Sequence, residues 1–203
     1  VREIKMTEVI YNTYKHNPPH LFRGETKYFI TASTYKKLPY LKSDAAKEKL
    51  LHSLHLAFNK YNWAIEDWVI LNNHYHLMTD ISDVPQVLPS IIREAHRFTA
   101  LWIKKQILPK SHFVESDISN PEHTPIEATR IFYNYWDTCI TYEQSYLTRL
   151  TYIWTNPVKH GLVESPEDWK YSSYYSRYRN ECDVITQFMK DHPSDRVNMK
   201  DNY

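Results

Sequence analysis

The chain has 203 residues, a net charge of +1, 42% hydrophobic residues and 24% charged residues, which suits one well-filled soluble domain with a tail. Only two glycines are present, Gly24 and Gly161, so neither a Gly-rich phosphate cradle nor a Gly-x-Ser-x-Gly elbow can be built; nucleotide kinases, dinucleotide-binding dehydrogenases and serine esterases are excluded together. Cys139 and Cys182 form no disulfide framework or Cys-rich zinc site, and no apolar run approaches a membrane span, so a cytoplasmic location is expected.

Residues 1–26 read as a mixed, polar N-terminal extension interrupted by Pro18 and Pro19. From Lys27 the run KYFITASTY is aromatic and β-branched and predicts a first strand. Residues 44–61 carry Leu50, Leu51, Leu54 and Phe58 at helical spacing behind Ser43 or Asp44 as N-cap. WAIEDWVIL predicts a second strand and HYHLMTDI a third. Asn72-Asn73 between them tolerates the left-handed backbone of a tight antiparallel turn.

A helix is expected from about Pro85 to Gln106. Leu88, Ile91, Ile92, Ala95 and Trp102 form its apolar side, and Arg93, Arg97 and Lys104 lie opposite, suited to DNA phosphates. Charge is uneven here: residues 86–110 carry five basic groups and one acid, whereas 111–147 carry one and six. Residues 107–127 read as a loop or insertion, ATRIFYNYWDTCI as a fourth strand, and 143–156 as a last helix ended by Pro157 and the Lys-His-Gly at 159–161. The order β-α-β-β-α-β-α predicts an α+β, ferredoxin-like (RRM-like) sandwich: an antiparallel sheet with helices on one face, plus a C-terminal helix. One domain is expected over 1–176, followed by a polar tail over 177–203.

Two motifs carry chemistry. His74 and His76 alternate with Tyr75 on the third strand and so share a face, where two imidazoles could converge on one cation, with Ile70 and Met78 flanking them. Tyr152 and Asn156, one turn apart, share a face of the last helix. Taken singly, each pair is better explained structurally: satisfied core histidines, and a core tyrosine with a helix-stop asparagine. The 17 tyrosines and 6 tryptophans fit a β-rich core, and they also fit a surface on which unpaired bases stack; the Tyr171–Tyr178 cluster is one such candidate.

The segments LNNHYHLM and YIWTNPVKHGLVESPEDWKYSSYYSRY together resemble the REP-associated tyrosine transposases, a branch of the single-tyrosine HUH transposases of insertion sequences. The resemblance implies a metal pair at His74 and His76, a nucleophile at Tyr152, and a third ligand at Asn156, holding Mg²⁺ or Mn²⁺. It further implies cleavage of single-stranded DNA beside hairpins (REP-like palindromes) through a 5′-phosphotyrosine link that frees a 3′-OH. A monomer or homodimer is implied, without a membrane. Two departures stand out: Asn72-Asn73-His74 replaces the family's Pro-Asp-His, and Ala128–Phe132 stands where relatives carry a Gly-Pro-x-Trp-Gln-like run. The rival functions are a relaxase or replication-initiator nuclease, and a hairpin-binding module that no longer cuts.

Overall fold

The computed structural model describes residues 10–12, 20–22, 27–80, 84–107, 130–180 and 182–197. Its centre is a four-stranded antiparallel sheet built from β3 (Lys27–Thr34), β4 (Ala64–Ile70), β5 (His74–Asp80) and β6 (Phe132–Ile140), in the spatial order β4-β5-β3-β6. Helix α1 (Asp44–Lys60) connects β3 to β4, and α2 (Leu88–Ile107) lies between β5 and β6. This order and connectivity are those of the ferredoxin-like sandwich, as the sequence predicts. The N-terminal extension contributes a small two-stranded hairpin, β1 (Ile10–Asn12) with β2 (His20–Phe22). The expected loop at 107–127 lies outside the described residues, apart from Ile107 at the end of α2.

Side-chain alternation splits the molecule into two layers. Tyr28, Ile30, Ile70, Tyr75 and Leu77 point to one face, where Leu50, Leu54 and Phe58 of α1 and Leu88, Ile91, Ile92 and Ala95 of α2 cover them. Phe29, Val69 and Met78 point to the other, against Leu150, Tyr152, Ile153 and Trp154 of α3 (Glu143–Lys159). Ile70 thus belongs to the α1/α2 layer. The residue across from His76 on the other face is Val69, because β4 bulges between Ile65 and Asp67 and fixes that register.

Helix ends follow local chemistry. Ser43 accepts from the Ala46 amide to open α1. At its end Asn62 takes φ 56°, while the Asn62 and Trp63 amides return to the Asn59 and Phe58 carbonyls and Trp63 packs on Phe58. The last helix does not stop at 156: it runs through Pro157 to Lys159. A proline in the final turn forgoes one backbone bond to residue 153, and Gly161 at φ 62° then closes the helix through bonds from Gly161 to Val158 and from Leu162 to Pro157.

The Asn72-Asn73 turn is also built differently from expectation, since neither residue has positive φ. The turn is held from outside instead. The Asn73 carbonyl accepts from the Thr34 amide and hydroxyl, the Asn72 carbonyl from the Leu41 amide, and the Asn73 side-chain amide donates to the Lys37 carbonyl.

Residues 177–197, expected as a polar tail, fold back onto the body. The segment after α3 straps the free edge of β4: the Ile70 amide donates to Tyr171, Val69 bridges Ser172, the Trp68 amide donates to Ser173 Oγ, and the Trp169 indole donates to the Ile70 carbonyl. Helices α4 (Ser173–Arg177) and α5 (Cys182–Asp191) follow, and Phe188 of α5 packs against Trp154 with ring centroids 5.4 Å apart. Apolar spacing at Ile185, Phe188 and Met189 is what brings this segment onto α3. Tyr171 and Tyr174 are buried in this strap and are not a stacking surface.

Candidate active site

The histidine pair and the last helix meet on the α3 face of the sheet. His74 and His76 stand side by side on β5 with ring centroids 5.1 Å apart, and the Tyr152 ring sits edge-on to His76 at 5.1 Å. One turn further along α3, Asn156 Oδ1 is 3.3 Å from His74 Nε2. The four residues that the resemblance singles out are therefore brought together, and all four are buried.

Each imidazole is oriented from behind. His74 Nδ1 is 2.7 Å from Asn73 Oδ1, and His76 Nδ1 is 2.8 Å from Thr31 Oγ1. Phe29 stacks on His76 at 5.5 Å. These contacts aim both Nε2 atoms toward α3, where His76 Nε2, the Tyr152 hydroxyl and Asn156 Nδ2 find no hydrogen-bond partner among the described residues. Burial, reinforced by the neighbouring His160, holds the His74 imidazole down at about 3. Burial and the adjacent His74 push His76 well below its ordinary value. Both rings are neutral at physiological pH, the form that ligates a metal.

A neutral imidazole has one N–H, and His74 has an amide oxygen beside each ring nitrogen, Asn73 Oδ1 at 2.7 Å and Asn156 Oδ1 at 3.3 Å. With the proton on Nδ1, toward the nearer oxygen, the Nε2 lone pair, Asn156 Oδ1 and the unpartnered His76 Nε2 face one space in which a cation could be accepted. The donor set, two imidazoles and an amide oxygen, fits a divalent ion such as Mg²⁺ or Mn²⁺ that keeps open positions. No grouping of three or more His, Cys, Asp or Glu among the described residues is placed to hold a metal.

Two further residues were not singled out in the sequence. The His160 ring lies 5.0 Å from His74, and the Lys159 ammonium lies 4.7 Å from the centre of the Tyr152 ring. The spacing 152–156–160 is their sequence signal, and a helix that ends at Pro157 hides it.

The other α3 tyrosine is committed elsewhere: the Tyr146 hydroxyl donates to Glu66, whose carboxylate also holds Lys27 at 2.6 Å. Tyr142 is the N-cap residue and is 66% exposed, remote from the pair in the chain's helical register.

Arg93, Arg97 and Lys104 are not part of this cluster. They line a groove of about 620 Å³ between α2 and the start of β6, together with Arg130 and Tyr133. The α2 layer is on the opposite face of the sheet from the histidine pair.

No protein-family model matches the chain. A Haemophilus influenzae protein named "Putative REP-associated tyrosine transposase" is 40% identical over 47 residues, which is 23% of this chain and 27% of that protein. The match thus spans about a quarter of the relative's length. A solved REP-associated tyrosine transposase bound to a REP hairpin superposes with a TM-score of 0.60 at 18% identity, over 81% of this chain and 84% of that one. The chain has the fold of a REP-associated tyrosine transposase over most of its length and resembles that family in sequence over the matched stretch.

Proposed function

We propose that the chain is a transposase of this type: a metal-dependent, single-strand DNA endonuclease and strand transferase that cuts beside hairpins. The observation that carries the reading is the convergence of Tyr152 and Asn156 on the neutral His74–His76 pair, with lone pairs aimed into one space and a tyrosine hydroxyl left unpartnered beside it. Buried polar atoms without partners are costly in a purely structural core, about 1–3 kcal/mol each. A core histidine pair kept for stability would be expected to satisfy its outward nitrogens.

His74, His76 and Asn156 would hold the cation, which when bound neutralises a non-bridging phosphate oxygen and polarises the phosphorus. Asn73 and Thr31 keep the ligand nitrogens facing it. The Tyr152 oxygen forms a bond to phosphorus as the bond to the 3′-oxygen breaks; the phenol gives up its proton and the leaving oxygen gains one. The energy of the broken phosphodiester is retained in the 5′-phosphotyrosine link, so the free 3′-OH can reverse the step. The Lys159 ammonium beside the Tyr152 ring favours the negative charge that collects there. Tyrosine suits strand joining for this reason, whereas a nuclease that only hydrolyses can use water.

A labelled single-stranded hairpin incubated with Mg²⁺ and run on a denaturing gel tests the reading. A protein–DNA adduct that disappears with chelator is expected. Tight hairpin binding with no adduct at any metal concentration would assign the chain to the non-cutting class.

A further inference from the structure

The geometry points to an unpaired-base platform, formed by Tyr133 and Trp136 on β6, that receives a nucleotide of the strand being cut; this rests on the single-strand cleavage reading above. The register across the sheet places Val69, His76, Thr31 and Trp136 in one row. Residues directly opposite in antiparallel strands share a face. Trp136 is therefore on the same face as His76, two strand spacings or about 10 Å away. Thr31, hydrogen-bonded to His76, fills the position between them.

Trp136 is 40% exposed and Tyr133 41%, with their ring centroids 5.8 Å apart. Strand β2 runs beside β6 and leaves both rings open. Single exposed apolar side chains are ordinary, but two adjoining aromatic rings on an edge strand are a flat surface of the kind on which bases stack.

The occupant is argued from charge and continuity. The Arg130 guanidinium lies 5.2 Å from the centre of the Tyr133 ring and 5.6 Å from that of Tyr35. It is held there by bonds from Nε to the Phe132 carbonyl and from the guanidinium to Asn134 Oδ1. Asp137, the acid on this strand, is opposite Ile30 and so faces the α1/α2 layer. Tyr133 and Arg130 also line the α2 groove with Arg93, Arg97 and Lys104. A track of cations and aromatic rings therefore runs from α2, around the β6 edge, to the row containing His76. Its alternation of positive charge and ring faces matches the phosphates and bases of a single strand.

The test compares binding of two fluorescent probes, an oligothymidylate and an abasic oligomer of equal length, which carry the same phosphates and differ only in bases. The wild type is expected to prefer the oligothymidylate by roughly 5- to 100-fold for one stacked base. Tyr133→Ala with Trp136→Ala should bind both probes alike, at the level of the abasic one, and Trp136→Phe should recover most of the preference. Arg93→Ala with Arg97→Ala should weaken both probes together and leave their ratio unchanged.

A double aromatic variant that keeps the wild-type ratio overturns the platform. So does a wild type that binds both probes equally while still forming the Tyr152 adduct on a hairpin, an outcome that leaves the cleavage reading intact. Loss of self-association in the double variant, with no change in the ratio, would give this face to a second copy of the chain. A wild type that binds neither probe nor a hairpin overturns both readings.

Discussion

Thr31 Oγ1 lies 2.8 Å from His76 Nδ1, joining β3 to β5 inside the buried face that carries the site. The contact fixes the ring so that Nε2 faces Asn156 and Tyr152. Replacing the hydroxyl by a methyl of similar size should leave the packing intact and remove the orientation. Thr31→Val is expected to fold normally and to lose about 10- to 100-fold in Mn²⁺ affinity, measured by calorimetry. Unchanged affinity would show that His76 needs no help from β3.

Tyr152→Phe has an expected signature in stability as well as in activity. The Tyr152 side chain is 1% exposed and its hydroxyl has no described hydrogen-bond partner, so the native fold bears the cost of hiding it. The variant should unfold at a urea midpoint equal to or above that of the wild type while forming no DNA adduct. A marked loss of stability would mean that the hydroxyl has a structural partner and a structural purpose.

The buried Asp67 carboxylate is the anchor of the C-terminal strap. It accepts from the Trp154 indole at 2.9 Å and Ser173 Oγ at 2.6 Å, with Arg177 at 3.5 Å. Asp67→Ala leaves the buried Trp154 indole unpaired and Ser173 Oγ with only its 3.2 Å contact to the Trp68 carbonyl, and should cost roughly 1–3 kcal/mol in chemical denaturation. Asp67→Asn, whose amide oxygen can still accept, should cost less. Equal losses for the two would show that the charge matters more than the acceptor.

Much of this arrangement was legible in the sequence, and the misses have particular causes. Period-two alternation placed His74 and His76 on one face, and apolar spacing at Leu50, Leu54 and Phe58 set α1, because both signals are local. Pro157 reads as a stop, whereas in a final turn it forgoes one bond that Gly161 closure offsets. Asn72 and Asn73 looked like left-handed turn residues; their backbone is instead determined by Thr34, Lys37 and Leu41, contacts that no local pattern reveals. The Tyr171–Tyr178 cluster fits core or stacking surface equally from sequence for the same reason, since the Asp67 and Trp68 that anchor Ser173 lie over a hundred residues away in the chain.

His96 supplies a pH dependence independent of the site. Burial holds its imidazole at about 3, it stacks on Phe132 at 4.0 Å, and its Nε2 is 2.8 Å from the Tyr75 hydroxyl. Its ordinary value is about 6.5. The folded state therefore binds the proton less well than the unfolded state. The contribution is complete above about pH 6.5 and is lost as pH falls toward about 3, at up to about 1.4 kcal/mol per unit and less because His96 is only half-buried. His96→Asn should make stability between pH 7 and pH 5 flatter than in the wild type, read from urea midpoints. Parallel curves would contradict this account of the α2–β5 contact.

Mass spectrometry of the covalent intermediate tests the central claim most directly. Wild-type protein is reacted with a single-stranded hairpin in Mg²⁺, digested with nuclease and protease, and searched for a nucleotide-bearing tyrosine. The geometry of His74, His76 and Asn156 predicts the modification on the peptide containing Tyr152, and its absence when chelator replaces the metal. A nucleotide on Tyr142 or Tyr146, or an undiminished yield in excess chelator, would contradict it.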